Sequence, residues 1–144
     1  MTRLFIDTDI ILDVLLKRTH YPAAAAVLSR IENRDCDGYT TPVVLANIHY
    51  IVTRQAGKRK SLQNLRKLRK IISILPIDEK TIDEAVLSDT GDFEDAIQYV
   101  TAKKHRIDFI VTRNKTDYEM SAVPALTAEE FLEIEKTRQR QTGR

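Results

Sequence analysis

The chain predicts an α/β fold, a three-layer α/β/α sandwich around a mainly parallel central sheet. Short apolar runs of strand length, "RLFI", "SILPI" and "DFIVT", recur along the 144 residues. One or two helical patterns separate each from the next, as crossover connections between parallel strands require. No internal repeat or low-complexity linker divides the chain, and glycine and proline number only four each. That length fits one domain with a substantial core. Residues 1–136 are read as that single domain, and 137–144, "TRQRQTGR", as a flexible polar tail.

The elements follow in order. "RLFI" is a short buried strand with Asp7 at its carboxyl end. "DIILDVLLK" has helical length, and Asp9 is a plausible N-cap for it. "YPAAAAVLSRIEN" is a second helix, with Pro22 suited to the first turn. "TTPVVLANIHYIVTRQAG" repeats that grammar, with Thr41 as cap, Pro42 in the first turn and Gly57 after the end. "KSLQNLRKLRKII" is a basic amphipathic helix that turns Leu62, Leu65 and Leu68 inward, and "SILPI" is a strand. "TIDEAVLS" opens with a capping-box pattern from Thr81 to Glu84. "GDFEDAIQYVTAKKH" is a helix, "DFIVT" a buried strand and "VPALT" a short last strand. "TAEEFLEIEK" closes the domain as a helix, again with threonine followed three residues later by glutamate.

Composition bounds the function. A hydrophobic fraction of 42% with 31% charged residues describes a folded globular protein, and the net charge of +2 decides nothing alone. The single cysteine, Cys36, sits among charges in an expected loop and can form no intrachain disulfide, so a reducing cytoplasm is the expected setting. No stretch has the length of a membrane span, and "MTRLFIDTD" meets aspartate too soon for a secretory signal. His20, His49 and His105 are scattered without the paired spacing of a zinc site.

Carboxylates mark the candidate site. In open parallel sheets, ligands bind beyond the carboxyl ends of the strands. Asp7 lies at one such end, and "TRNKTDY" follows another. Asp92 and Asp95 are three apart in "GDFEDAIQYV", so both can face one way from the first turn of a helix. Each has an ordinary reading too, Asp92 as a cap and Asp95 as dipole compensation. Together these aspartates fit a hard divalent cation, Mg²⁺ or Mn²⁺, which prefers oxygen ligands and keeps several waters. Asp13, one turn beyond Asp9, could point to the site or to solvent.

"FIDTDIILD", "TTPVVLANIHYIV", "DFEDAIQYVTA", "FIVTRNKTDY" and "VPALTAEEFL", in that order and spacing, resemble a PIN domain. More narrowly, they resemble the bacterial branch of small PIN proteins related to VapC-type toxins. The likeness runs from the first strand to the last helix. It implies a parallel-sheet α/β/α sandwich and a Mg²⁺- or Mn²⁺-dependent endoribonuclease that hydrolyses RNA phosphodiesters. It also implies a possible toxin of a toxin–antitoxin pair, with RNA, an antitoxin protein and a homodimeric copy as partners, and no membrane. Residue by residue, Asp7 and Asp95 become metal-site carboxylates, joined by Asp117 in catalysis, with Asp9, Asn47, Asp92 and Asn114 in support. Asn47 departs from the pattern, since many PIN nucleases carry glutamate there, and Asn114 stands where aspartate is frequent. An amide offers a carbonyl oxygen but no charge, unless Asp92, Glu94 or Asp117 compensates.

The stretch Arg54 to Lys70 contains no acid and can hold phosphates, which makes Arg66, Lys67, Arg69 and Lys70 candidate RNA contacts beside Arg113. The ordinary reading is a solvated helix face. Tyr39, Tyr50 and Tyr118 could stack on bases, although core or rim positions are commoner. Two other readings remain. One is a PIN-like RNA- or partner-binding module with an incomplete metal site. The other is a haloacid-dehalogenase-like phosphatase, which "DTD" after a first strand permits but the following Ile10 and Ile11 do not favour.

Overall fold

The computed structural model describes residues 1–88 and 91–141. Five parallel strands form one sheet: β1 (Arg3–Ile6), β2 (Asp37–Thr40), β3 (Ile72–Ile74), β4 (Phe109–Val111) and β5 (Ala125–Leu126). Their order is β3-β2-β1-β4-β5, so the first strand is the middle one. Leu4 pairs with Gly38 on one side and Phe109 on the other, and Ile6 pairs with Val111. Leu4, Phe5, Ile6, Ile110 and Val111 have no exposed surface, as expected of strands covered on both faces.

Helices α1 (Thr8–Leu15), α2 (Tyr21–Glu32), α3 (Pro42–Ala56), α4 (Lys58–Arg69), α5 (Glu79–Leu87), α6 (Phe93–Lys104) and α7 (Ala128–Gln141) supply the outer layers of the α/β/α sandwich. α1 packs against α2 and α3, α2 against α7, and α5 against α6. Phe131 of α7 and Val44, Ile48 and Val52 of α3 are wholly buried. Among the described residues, no helix is long and apolar enough to cross a membrane.

Several local expectations change. Asp7, not Asp9, caps α1: its extended backbone (φ −75°, ψ 161°) lets Oδ1 accept the Thr8 N–H at 2.8 Å. α5 is capped by Asp78, whose Oδ1 accepts both the N–H (2.9 Å) and the hydroxyl (2.8 Å) of Thr81, so Thr81 is a donor inside the first turn. Strand pairing in "SILPI" stops at Ile74. β2, "DGYT", had no strand signal of its own because aspartate and glycine are poor strand formers. Gly38 is required by packing: a Cβ there would stand 2.6 Å from Ile31 Cδ1 of α2. Cys36, expected in a charged loop, is buried at the entry to β2, where burial raises its thiol to about 12.

At the other end, Thr127 and Glu130 form the expected capping box. The Thr127 N–H donates to Glu130 Oε1 at 2.9 Å, and the Glu130 N–H donates to Thr127 Oγ1 at 3.1 Å. α7 then continues through Gln141, five residues into the stretch read as a tail, and 142–144 lie outside the described residues.

Candidate active site

The strand order reverses direction on either side of β1, and the cleft opens where the carboxyl ends of β1 and β4 part. Asp7 begins it. Its N–H donates to the Val111 carbonyl at 3.0 Å, one step past the paired residues. While Oδ1 caps α1, Oδ2 accepts the hydroxyl of buried Thr112 at 2.8 Å. Both carboxylate oxygens are therefore held, one by each element that leaves the sheet here.

α6 brings the second carboxylate. Asp92 caps the helix by accepting the Asp95 N–H at 3.0 Å, which sets Asp95 in the first turn. The loop after β4 tightens into a 3₁₀ turn, Lys115–Tyr118, that supplies Asp117. α3 supplies the opposite wall. Asp7, Asp9, Asn47, Tyr50, Glu94, Asp95 and Asp117 thus line one open cavity of about 360 Å³. Asp92 lines an adjoining hollow that shares Asp95 and Asp117.

The cleft is electrostatically crowded. Asp95 is pushed up to about 7, first by partial burial and then by Asp92, Asp117, Asp7 and Glu94. Burial also raises Asp7, against the hydrogen bonds of Thr112 and Thr8 and the nearby Tyr118 hydroxyl. Asp117 is raised by burial and by Asp92 and Asp9. Tyr118 is 3% exposed, and its hydroxyl meets no hydrogen-bond partner although it faces Asp7 and Asp95. Its burial first, and then those carboxylates, push its pKa up, so it stays protonated. Among the described residues, no Lys, Arg or His reaches within 4.0 Å of Asp7, Glu94, Asp95 or Asp117.

This donor set fits a hard cation. Its ligating groups are oxygens, and Asp7, Glu94, Asp95 and Asp117 have no protein cation within 4.0 Å among the described residues, while Asp9 pairs with Arg18 and Arg113. No ready-made cluster of three His, Cys, Asp or Glu ligands stands among the described residues. An ion held by one or two carboxylates and its own waters does not need one.

Glu94 is a residue that the sequence pattern weighted too lightly. Asn47 Nδ2 donates to Glu94 Oε2 at 3.2 Å, so the amide on α3 holds a carboxylate that α6 contributes. Thr112 was also missed. Only the pairing of Ile6 with Val111 makes Asp7 and Thr112 neighbours across 105 residues, and no local signal carries that.

Other expected site residues go elsewhere. Arg113 turns away from the cleft: Nη1 lies 3.1 Å from Asp13 Oδ1 and Nη2 4.0 Å from Asp9 Oδ1. Asp13, left open between site and solvent, is fully buried under it. Asp9 does keep its place on the cavity wall, where it is shared between Arg113 and Arg18, at 3.7 Å from the latter. Asn114 accepts the Thr116 hydroxyl at 2.5 Å, within its own turn, and does not line the carboxylate cavity. Arg66, Lys67, Arg69 and Lys70 are exposed, but they sit where α4 delivers the chain to the amino end of β3. There Arg69 Nη1 donates to the Ile72 carbonyl at 2.7 Å, and Lys70 borders a hollow with Cys36 and Asp37. The structure does not bring these four to the cleft.

Comparison with known proteins bears on this arrangement. A family model described as "PIN domain" matches residues 3–116. The chain is similar to Ribonuclease VapC1 of Aquifex aeolicus, 27% identical over 138 residues, covering 91% of this chain and 94% of that relative. Among solved structures it resembles VapBC2 from Rickettsia felis bound to a DNA fragment from their promoter (TM-score 0.69, 15% identity, 88% of this chain, 98% of the other). It also resembles VapC20 of Mycobacterium tuberculosis, titled a Sarcin-Ricin loop cleaving toxin (0.66, 14%, 81% and 94%). FitAcB from Neisseria gonorrhoeae is a third (0.64, 19%, 88% and 98%).

Proposed function

Because this chain belongs to the PIN domain family, we propose that it is a metal-dependent endoribonuclease acting as the toxin of a toxin–antitoxin pair. One observation carries the reading: Asp7, Asp95 and Asp117, from three distant parts of the chain, meet in one cleft with no protein cation to neutralise them. The similarity to a ribonuclease VapC, and to structures of VapC-type toxins with their antitoxins, supports the substrate class and the partner.

In this reading Asp7 and Asp95 hold Mg²⁺ or Mn²⁺, and Glu94, positioned by Asn47, adds a further carboxylate. When bound, such a cation lowers the pKa of water and stabilises charge developing on a phosphate. Thr112 and the Thr8 N–H fix the orientation of Asp7. Tyr118 faces Asp7 and Asp95 as a protonated hydrogen-bond donor. Asp117 orients water and takes its proton at a carboxylate oxygen as the water oxygen attacks phosphorus, while the P–O bond to the ribose oxygen breaks and that oxygen takes a proton from solvent in the open cleft. A homodimer, a reducing cytoplasm and an antitoxin are parts of the same proposal.

A second reading, an RNA- or partner-binding module that does not cut, is favoured by the placement of Arg113 and Asn114 outside the cleft. One experiment separates the two. Mixed RNAs are incubated with wild type and Asp7→Asn under Mg²⁺ or Mn²⁺ titration, with circular dichroism as the folding control. Asp7→Asn keeps an oxygen to cap α1, so the fold should persist while cleavage disappears. Full activity in the variant, or in EDTA, overturns the nuclease mechanism. RNA retained uncut by the wild type supports the binding module.

A further inference from the structure

α3 presents Asn47, Tyr50, Ile51 and Arg54 at helical spacing, and the first three line the carboxylate cavity. Tyr50 is unusual for an aromatic residue in such a wall, because 61% of it is exposed. Arg54 is one turn further on, and its Nη1 donates to the Tyr50 hydroxyl at 2.8 Å. The guanidinium carbon lies 5.6 Å from the ring centroid, at the outer limit of a cation–π contact. It is thus tethered to the hydroxyl end of a tyrosine that is still 61% exposed.

The other tyrosines marked in the sequence are committed. Tyr39 lies under Arg3, whose guanidinium carbon is 4.4 Å from the ring centroid, and Tyr118 is buried. The cations near the acidic cleft are committed as well, Arg18 to Asp9 and Arg113 to Asp9 and Asp13. Arg54 has no carboxylate within 4.0 Å among the described residues. An exposed aromatic ring beside a cation with no acidic partner, on the wall of a cleft that a bound divalent cation would make receptive to phosphate, is the combination that stacks bases and neutralises a backbone.

We propose that Tyr50 and Arg54 form a nucleotide subsite, in which Tyr50 stacks on an unpaired base and Arg54 meets an adjoining phosphate. Such a subsite takes an unpaired nucleotide. In a duplex the bases are already stacked on each other and present no free face to the ring. The proposal rests on the ribonuclease reading above.

The test uses a short single-stranded RNA carrying 2-aminopurine, with Ca²⁺ as the cation during binding measurements. Wild type and Tyr50→Phe quench the fluorophore on binding. Tyr50→Leu loses the quenching and binds about ten- to a hundred-fold more weakly, the range expected for one base–aromatic stack. Arg54→Gln keeps the quenching and makes the salt dependence shallower. The same sequence annealed to its complement gives no quenching. In Mn²⁺, Tyr50→Leu raises KM for RNA far more than it lowers kcat. Cleavage by wild type together with unchanged binding, quenching and KM in Tyr50→Leu overturns the subsite and leaves the ribonuclease standing. Failure of wild type either to bind or to cut RNA overturns both.

Discussion

Arg113 closes on Asp13, with Nη1 3.1 Å from the Oδ1 of a carboxylate that has no exposed surface. Asp13 Oδ2 has no hydrogen-bond partner among the described residues, so Arg113 is the direct partner of a buried charge, with His20 and Arg18 acting from further off. Removing the guanidinium leaves that charge uncompensated, which costs on the order of 3–5 kcal/mol for a buried pair. Arg113→Gln is expected to lower the unfolding midpoint in urea strongly, and Asp13→Asn in the same background to restore much of it. A variant that unfolds like wild type but loses RNA affinity would return Arg113 to the RNA surface.

The Asn47–Glu94 hydrogen bond makes a charge-relocation test available. Glu94→Gln should weaken Mn²⁺ binding, read by electron paramagnetic resonance, by roughly tenfold for a lost charge close to the ion. Reversing the pair with Asn47→Asp and Glu94→Gln puts a carboxylate back across the same bond and should recover affinity. Asn47→Asp alone should bind Mn²⁺ more tightly while destabilising the metal-free protein, since two carboxylates then face each other. Equal Mn²⁺ affinity in all three would remove Glu94 from the site.

Stability of the metal-free protein should fall with rising pH. Folded Asp95 holds its proton to about pH 7, whereas unfolded aspartate releases it near its ordinary 3.8. The folded state therefore binds more protons between those values, and stability declines across that window before levelling off. At about 1.4 kcal/mol per unit, and with solvent screening of a partly exposed group, the decline is on the order of a few kcal/mol. Raised Asp7 and Asp117 act in the same direction. Asp95→Asn should flatten the profile, and Mn²⁺ should restore stability at pH 8. A variant with the wild-type slope would show that Asp95 is not the crowded group.

Thr112 is predicted to matter through Asp7. Thr112→Val keeps the buried volume but removes the hydroxyl donated at 2.8 Å. Mn²⁺ affinity should fall about ten- to a hundred-fold, as for other residues that orient a metal ligand. Thr112→Ser should retain it. If valine and serine behave alike, the hydroxyl is dispensable.

Much of this molecule was legible because its signals are local. Pro22, Thr41, Pro42 and Gly57 mark helix ends whatever the fold, and Thr127 with Glu130 carries its own capping chemistry. Strands "RLFI" and "FIV" are apolar because both their faces are covered. What escaped depends on partners distant in sequence. Asp37–Thr40 becomes a strand because β1 and β3 flank it and Gly38 admits Ile31. Asp7 took the cap from Asp9 because β1 ends at Ile6 as expected but α1 already begins at Thr8. The acidic residues of the cleft could be named, but the way Arg113 faces could not, since only folding reveals that Asp13 has no water to serve it.

The position of β1 has a consequence for the order in which the protein is made. Asp7 leaves the ribosome 105 residues ahead of Thr112, which orients it. At about 5–20 residues per second, that interval is on the order of ten seconds. For most of it the central strand lacks its β4 neighbour and Asp7 waits without Asp95, and Asp117 comes only after Thr112. A nascent or prematurely terminated chain therefore carries the first carboxylate without a cleft. Whatever chemistry the cleft performs, the translating ribosome is shielded from it until Asp117 has been added.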